Sequence, residues 1–190
     1  MGSKLKIVLA STSPRRKELL EELYVDFIVV EPVSEETSTD SNPRKRVIEN
    51  AEAKAKSISN RYSDALIIGA DTIVYLEGEV LGKPSSPDEA VKMLEMLSGK
   101  IHSVFTGIAV LDATKNKLVS GSDETRVNFK KLDPKTIREY VGSGEPMDKA
   151  GAYAIQGDAG SFVECIDGSR SNVIGLSLEL LTELVTKFLS

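Results

Sequence analysis

The sequence predicts a single α/β domain over residues 1–190, with a mixed central sheet and flanking helices. Strand-like apolar runs alternate along the chain with helical patterns, which is typical of α/β folds. Two pairs of these runs are joined by hairpin turns, so the sheet is expected to contain antiparallel as well as parallel neighbours. With 190 residues, 41% of them hydrophobic, the chain is long enough to bury a substantial core.

Four helix starts are marked by a capping residue followed by proline. Proline suits the first helical position because its missing N–H would have no intrahelical partner there. The pairs are Ser13-Pro14, Asn42-Pro43, Ser86-Pro87 and Asp133-Pro134. Glu89 also completes a capping box with Ser86. A fifth helix with one apolar face is predicted from Ile174 to Phe188.

Strands are predicted between these helices from short apolar and β-branched runs. The runs are residues 5–10, 27–30, 65–70, 73–76, 104–111, 124–130 and 162–165. Glu77-Gly78 is typical of a hairpin turn, and residues 112–117 of a longer hairpin loop. Residues 65–70 are apolar without alternation, which indicates a central strand covered on both faces. The polar, non-periodic stretch 31–42 is predicted to be a loop.

Charge and cysteine content narrow the function classes. The net charge is −5, whereas a general binder of nucleic acid or of anionic membranes is expected to be basic. We therefore expect no nucleic-acid or membrane partner, and only a local anion site. Cys165 is the single cysteine, which fits a reducing cytoplasm, and its apolar surroundings predict a buried, inert thiol. Residues 7–10 are too short for a signal peptide.

A candidate phosphate site lies where the first strand meets the first helix. Ser11 and Ser13 provide hydroxyl groups, and the helix N-terminus provides free N–H groups and the positive end of its dipole. Arg15 and Arg16 add forked donors suited to phosphate. The alternative is an ordinary Ser-Pro helix start with two solvated arginines, since no glycine-rich loop is present.

Three charged residues elsewhere are further candidates. Asp71 follows the apolar run 65–70, and a carboxylate at the end of such a strand can hold Mg²⁺ or accept a proton from water. The alternative is a turn aspartate that bonds its own backbone. Lys54 lies on the apolar face of the second helix, where a long stem can also extend to solvent. Lys83, between a hairpin and a capped helix, either reaches a phosphate or is a surface lysine.

The remaining candidates are less specific. Glu35 and Glu36 lie in the polar loop, where solvated charges are the simpler interpretation. His102 is the only histidine, cannot form a metal cluster by itself, and is predicted to be structural. Gln156 ends a segment rich in small residues and can pair with a base edge, or belong to a tight turn. Together the candidates favour a metal-dependent phosphate-ester hydrolase over a nucleophilic one.

Six segments resemble, in order and over nearly the whole chain, the motifs of the Maf (septum formation) family. They are residues 10–16, 69–74, 82–84, 98–107, 148–157 and 171–176. The resemblance implies a fold similar to the inosine triphosphate pyrophosphatases. It also implies hydrolysis of nucleoside triphosphates to the monophosphate and pyrophosphate with Mg²⁺ or Mn²⁺, and a link to arrest of cell division.

The same resemblance implies roles for individual residues. Asp71 would be the proton acceptor, and Glu36 with Asp71 would hold the metal, although Glu35 competes with Glu36 for that role. The triphosphate would be bound by Ser11, Arg15, Arg16, Lys54 and Lys83, and base choice would depend on Arg15, Thr72 and Gln156.

The sequences of these motifs are similar to those in the branch of the family that prefers dTTP and UTP. The resemblance also suggests a homodimer. Ser177 stands where the family usually has proline and is expected to be structural. Two alternatives stay open at this point. One is a preference for modified nucleotides, and the other is a nucleotide-binding regulator of septum formation with little turnover.

Overall fold

The computed structural model describes residues 6–24, 26–34 and 38–189, and within them the chain forms a mixed sheet with helices. The strands lie in the order β2-β1-β3-β5-β6-β7, with the short β4 paired to β3. They are β1 Lys6–Ala10, β2 Ile28–Val30, β3 Ala65–Leu76, β4 Glu79–Leu81, β5 Ile101–Asp112, β6 Lys117–Phe129 and β7 Val163–Asp167. The helices are α1 Pro14–Glu21, α2 Pro43–Ser57, α3 Pro87–Leu97, α4 Pro134–Gly142, α5 Arg170–Ile174 and α6 Leu178–Leu189. The predicted fold class is confirmed. No helix in the described ranges is both long and apolar enough to cross a bilayer.

The chain divides into two compact units, each with its own apolar core. The first comprises Met1–Asp71, Thr106–Asp123 and Gly175–Ser190, and the second Thr72–Phe105 and Glu124–Ile174. The first core is built on α2, β1, β3 and β5, with Val8, Ala51, Ile67 and Ala109 completely buried. The second gathers α3, α4 and the aromatic residues Phe129, Tyr140, Tyr153 and Phe162. The single domain over residues 1–190 stays a prediction.

All four cap–proline helix starts are confirmed. Ser13, Asn42, Ser86 and Asp133 each have extended backbone dihedrals and accept hydrogen bonds from N–H groups of the first turn. The capping box differs in one detail. The Glu89 carboxylate accepts from the backbone N–H of Ser85, at 2.7 Å, rather than from the N-cap residue Ser86. These starts could be predicted because capping depends only on neighbouring residues.

The two strands predicted at residues 65–70 and 73–76 are one continuous strand, β3. Its first part pairs in parallel with β1, ending at the pair Ala10 and Gly69, and its last part pairs with β4 from Val74 onward. Because the parts of β3 before and after Asp71 are both paired with neighbouring strands, the backbone of Asp71 is extended. Asp71 therefore lies within a strand and not at its end. It nevertheless lies just beyond the last residue that pairs with β1.

Two further expectations were wrong. The predicted helix from Ile174 to Phe188 is two helices, since the chain breaks at Gly175, whose φ of 129° suits only glycine. Cys165 is exposed rather than buried, because β7 lies at the edge of the sheet, next to β6, in the part of the chain that the structure describes. The structural role expected for Ser177 is confirmed. Its hydroxyl donates to Asp123 at 2.7 Å and accepts from the N–H of Leu180 at 3.3 Å, near the start of α6.

Two glycines allow α2 to pack directly on the sheet. A Cβ at Gly69 of β3 would lie 2.2 Å from the backbone oxygen of Ala51, and a Cβ at Gly107 of β5 would lie 2.2 Å from that of Val47. Only glycine permits so close an approach of helix backbone to strand backbone. This contact sets the distance between the side chains of α2 and the carboxylate of Asp71.

Candidate functional site

Asp71 and Lys54 form a buried ion pair. The Lys54 ammonium donates to Oδ1 of Asp71 at 2.6 Å, and the two side chains are 8% and 2% exposed. A buried charge is tolerated when it is paired and hydrogen-bonded, as both are here. Lys54 also donates to the carbonyl of Ala70 at 3.4 Å. The lysine therefore does not extend to solvent, and Asp71 is not a turn residue bonded to its own backbone.

Asn50, which the sequence reasoning missed, binds the other oxygen of the same carboxylate. Its Nδ2 donates to Oδ2 of Asp71 at 2.9 Å, and its Oδ1 accepts from the backbone N–H of Ser38 at 3.1 Å. Asn50 is 3% exposed. It lies four residues before Lys54 on α2, so both side chains project from one helix face. That spacing of two polar residues beside the apolar face was the available signal.

The pairing register of β1 and β3 places the candidate phosphate site next to Asp71. Since β1 and β3 are parallel and Ala10 pairs with Gly69, Ser11 and Asp71 follow at the same edge of this strand pair. Ser11 is buried, and its Oγ accepts from the N–H of Ser13 at 3.2 Å and from Arg16 Nη1 at 3.4 Å. Arg16 Nε donates to the carbonyl of Gly175 at 2.8 Å. Arg16 is thus held over the helix start.

Thr72, Lys83 and Gln156 lie in the second unit. Thr72 is partly exposed on β3, whereas Lys83 and Gln156 are exposed in loops. The loop before Lys83 is joined to the segment that ends at Gln156, because the N–H of Gly151 donates to the carbonyl of Gly82 at 3.0 Å. Gly151 has a φ of 67° and packs so closely that a Cβ there would lie 2.9 Å from Val74. Glycine is required at this position for both reasons.

The acidic loop is described only in part. Glu35 and Glu36 lie outside the described residues, so the choice between them stays a prediction. Within residues 6–24, 26–34 and 38–189 there is no group of three potential metal-ligating side chains. Asp71 supplies one carboxylate, an oxygen donor of the kind that Mg²⁺ prefers. Mg²⁺ is often held by one or two carboxylates together with substrate phosphates, so this donor set fits such a cation.

His102 belongs to an aromatic cluster in the second unit and has a structural role, as expected. It is 2% exposed, and its Nε2 shares a hydrogen bond with the Tyr153 hydroxyl at 2.7 Å. Its ring contacts Phe129 edge to face, with the centroids 4.9 Å apart. Burial lowers the pKa of His102 from 6.5 to about 4 and raises the pKa of Tyr153 above its usual value. Both groups are therefore neutral at physiological pH.

The first unit places an oriented carboxylate next to groups that can bind an anion. Asp71 is fixed by two donors, on opposite oxygens of one carboxylate. Hydroxyl, guanidinium and helix N-terminal N–H groups follow β1 at the neighbouring position. An arrangement of this kind can bind a phosphate chain and direct a water molecule toward it.

Comparison with known proteins identifies similar chains. The profile of a family described as "Maf-like protein" matches residues 6–188. A dTTP/UTP pyrophosphatase of Pelotomaculum thermopropionicum is 46% identical over 184 residues, which cover 96% of each chain. One of Thermococcus gammatolerans is 46% identical over 178 residues, or 94% of each chain. One of Clostridium perfringens is 42% identical over 187 residues, or 97% of each.

A solved structure shares the fold. The Ham1 protein of Staphylococcus aureus aligns with a TM-score of 0.55 over 96% of this chain and 99% of its own, at 15% identity. At that identity the likeness concerns the fold alone. It bears out the expectation of a fold similar to the inosine triphosphate pyrophosphatases.

Proposed function

This chain belongs to the Maf-like protein family, and we propose that it is a nucleoside triphosphate pyrophosphatase acting on dTTP and UTP. The products would be the nucleoside monophosphate and pyrophosphate. The observation that carries the proposal is the buried ion pair between Lys54 and Asp71. Asp71 lies in the motif-like segment 69–74. Relatives named dTTP/UTP pyrophosphatase, similar over nearly their whole length, support the same reaction.

The proposed reaction is attack of water on the α-phosphorus. Asp71 orients the water and accepts its proton as the new oxygen–phosphorus bond forms. The bond between the α-phosphorus and the bridging oxygen breaks, and pyrophosphate leaves with the bonding electrons. Arg15 and Arg16, with Lys54 and Lys83, stabilise the negative charge that develops on the phosphates. Ser11 binds the triphosphate at the start of α1.

We propose that a divalent cation, Mg²⁺ or Mn²⁺, accompanies the substrate. Asp71 and Glu36 would hold it, and it would offset the charge of the phosphate oxygens.

For base selection, we assign Arg15, Thr72 and Gln156. The exposed Gln156 amide carries both a donor and an acceptor, as recognition of a pyrimidine edge requires. A panel of triphosphates that includes 5-methyl-UTP decides whether standard or modified pyrimidine nucleotides are preferred. We place the reaction in the cytoplasm, where nucleoside triphosphates are made and used.

The alternative of a septation regulator with little turnover is not favoured, because the similar chains are named for an enzymatic activity. Binding of a small nucleotide, rather than of nucleic acid, agrees with the net charge of −5. The homodimer stays a prediction.

The test is a substrate panel with the purified chain and two variants. Monophosphate and pyrophosphate are measured from dTTP, UTP, CTP, GTP, 7-methyl-GTP and 5-methyl-UTP, each with and without Mg²⁺ or Mn²⁺. We expect both products from dTTP and UTP only when a metal is present. Asp71→Asn should abolish turnover and still fold.

Asp112→Asn is the matched control in this panel, because Asp112 is also a buried carboxylate of the first unit but caps the turn at Thr114 and Lys115. It should keep its activity. Turnover by Asp71→Asn close to that of the parent would refute the assignment.

A further inference from the structure

We propose that Asn50 is a positioning residue that fixes the rotation of the Asp71 carboxylate for catalysis. This inference rests on the proposed function, in which Asp71 directs the attacking water. The side chain of Asn50 contacts both Asp71 and the loop before α2.

The geometry of the two donors supports the assignment. A carboxylate held at one oxygen can still rotate about its Cβ–Cγ bond, whereas one held at both oxygens by fixed donors cannot do so without breaking a bond. Lys54 holds Oδ1 at 2.6 Å and Asn50 holds Oδ2 at 2.9 Å. Both donors project from the same face of α2. That helix is packed on β3 by the backbone contact at Gly69. The carboxylate is therefore oriented by a rigid element.

The amide of Asn50 is itself oriented by a third group. Its Oδ1 accepts from the N–H of Ser38 at 3.1 Å, which directs its Nδ2 toward Asp71. Ser38 lies two positions after Glu36 in the sequence, so one side chain bridges the acidic loop and the carboxylate. Loss of Asn50 should therefore disturb both the loop at Ser38 and the carboxylate of Asp71.

Helix formation and apolar packing alone do not explain an asparagine at position 50. Asparagine is a weaker helix former than alanine or leucine, and burying an amide costs free energy unless it is hydrogen-bonded. The neighbouring buried positions of α2 are Val47, Ala51 and Ala55. An apolar residue at position 50 would suit the helix and its apolar neighbours better, but it would remove the bonds to Asp71 and to the N–H of Ser38.

The main experiment measures kcat and KM of Asn50→Leu with dTTP, together with its Tm. Leucine has the same number of heavy side-chain atoms and the same branching at Cγ, and it removes both hydrogen bonds. Because a bond to a charged group is lost, kcat should fall about ten- to hundredfold. KM should change less than about twofold, since in the proposed role Asn50 acts through Asp71 and not on the substrate. If the leucine variant does not fold, Asn50→Ser is measured instead. Its side chain is polar but too short to reach Oδ2.

The matched control is Asn172→Leu. Asn172 is also fully buried and donates from Nδ2 to the carbonyl of Val104 at 3.0 Å and to Thr125 Oγ1 at 2.9 Å. This control should lower Tm and leave kcat within about twofold. A loss of kcat below about fivefold in the Asn50 variant, whatever its Tm, would overturn the proposal. So would a rise in KM at unchanged kcat, because that result indicates a substrate contact.

A second readout does not depend on turnover. We expect Asn50→Leu to shift the ¹³C resonance of the Asp71 carboxyl and to speed hydrogen exchange of the Ser38 amide, which loses its acceptor. An inactive parent chain would refute the proposed function alone. Unchanged Asp71 and Ser38 signals would refute the positioning role, whether or not the parent is active.

Discussion

Lowering the pH is expected to destabilise the folded protein through His102, the only histidine in the chain. The imidazole is almost completely buried against Phe129 and Tyr153, and burial lowers its pKa from 6.5 to about 4. In the part of the chain that the structure describes, its Nδ1 has no hydrogen-bond partner. A proton added there would create a charge that nothing in the cluster offsets.

The size of the effect follows from linkage. Above pH 6.5 His102 is neutral in both states and contributes no pH dependence. Between about 6.5 and about 4 the unfolded chain binds a proton that the folded chain does not bind, so the free energy of unfolding falls as the pH falls. The slope is about 1.4 kcal/mol per pH unit, which amounts to about 3 kcal/mol over the whole interval. Below pH 4 both states are protonated and this loss stops.

The assay compares the parent with His102→Gln in urea at several pH values from about 7.5 to about 4.5. Carboxylates whose pKa is lowered by hydrogen bonds, such as Asp40, Asp133 and Glu89, also weaken stability in acid. The comparison removes their effect because both chains carry them. The free energy of unfolding of the parent should therefore fall more steeply with acid than that of the variant. Tyr153→Phe, which removes the hydroxyl and keeps the histidine, should retain the steep dependence.

Parallel pH profiles for parent and His102→Gln, within about 0.5 kcal/mol at every pH, would refute this reasoning. An independent check uses the imidazole proton resonances of the folded parent. They should stay at their neutral positions down to about pH 5, because the pKa is about 4. Titration with a midpoint near 6.5 would show that the ring is hydrated in solution and contradict the burial argument.

Two other substitutions test the packing and the base recognition. Gly69→Ala should lower the free energy of unfolding by about 1–3 kcal/mol and reduce kcat, because the new Cβ meets the backbone of α2 and separates Lys54 from Asp71. Gly142→Ala, where the space is open, should be neutral or slightly stabilising in the same denaturation assay; equal effects would contradict the argument. Gln156→Ala should change stability by less than about 0.5 kcal/mol and flatten the ratio of kcat/KM values among triphosphates. An unchanged ratio would exclude Gln156 from base recognition.

Sequence reasoning succeeded for the fold where the signal was local. The helix starts at Ser13 and Ser86 depend on a cap and a proline within a few residues, and each is present in the structure. It failed where distant pairing decides the outcome. β3 continues past Asp71 because β1 and β4 hold its two ends. Cys165 is exposed because β7 is the last strand in the order of the described sheet. Neither arrangement can be inferred from the local pattern.

For the candidate site, too, the sequence indicated individual residues but not the contacts between distant ones. Asp71 and Lys54 were singled out separately, but their contact depends on how closely α2 approaches β3, which is set by Gly69. Asn50 was missed because a single asparagine in a helix is usually a solvated residue. The polar pair at positions 50 and 54 indicates a site only once α2 is known to pack on β3, the strand that carries Asp71.

The position of Asp71 within a strand, rather than at its end, has a physical consequence for the proposed reaction. A residue after the last strand position moves with its loop, whereas the backbone of Asp71 is held between the ladders to β1 and β4. Its side chain is held by two donors from one helix, and that helix is in backbone contact with the same strand. Preorganisation of this kind reduces the rearrangement needed when water attacks. The proposed metal ligand Glu36 lies outside the described residues, in the polar loop before α2. Asn50 is the described side chain that bonds both Asp71 and the part of that loop at Ser38.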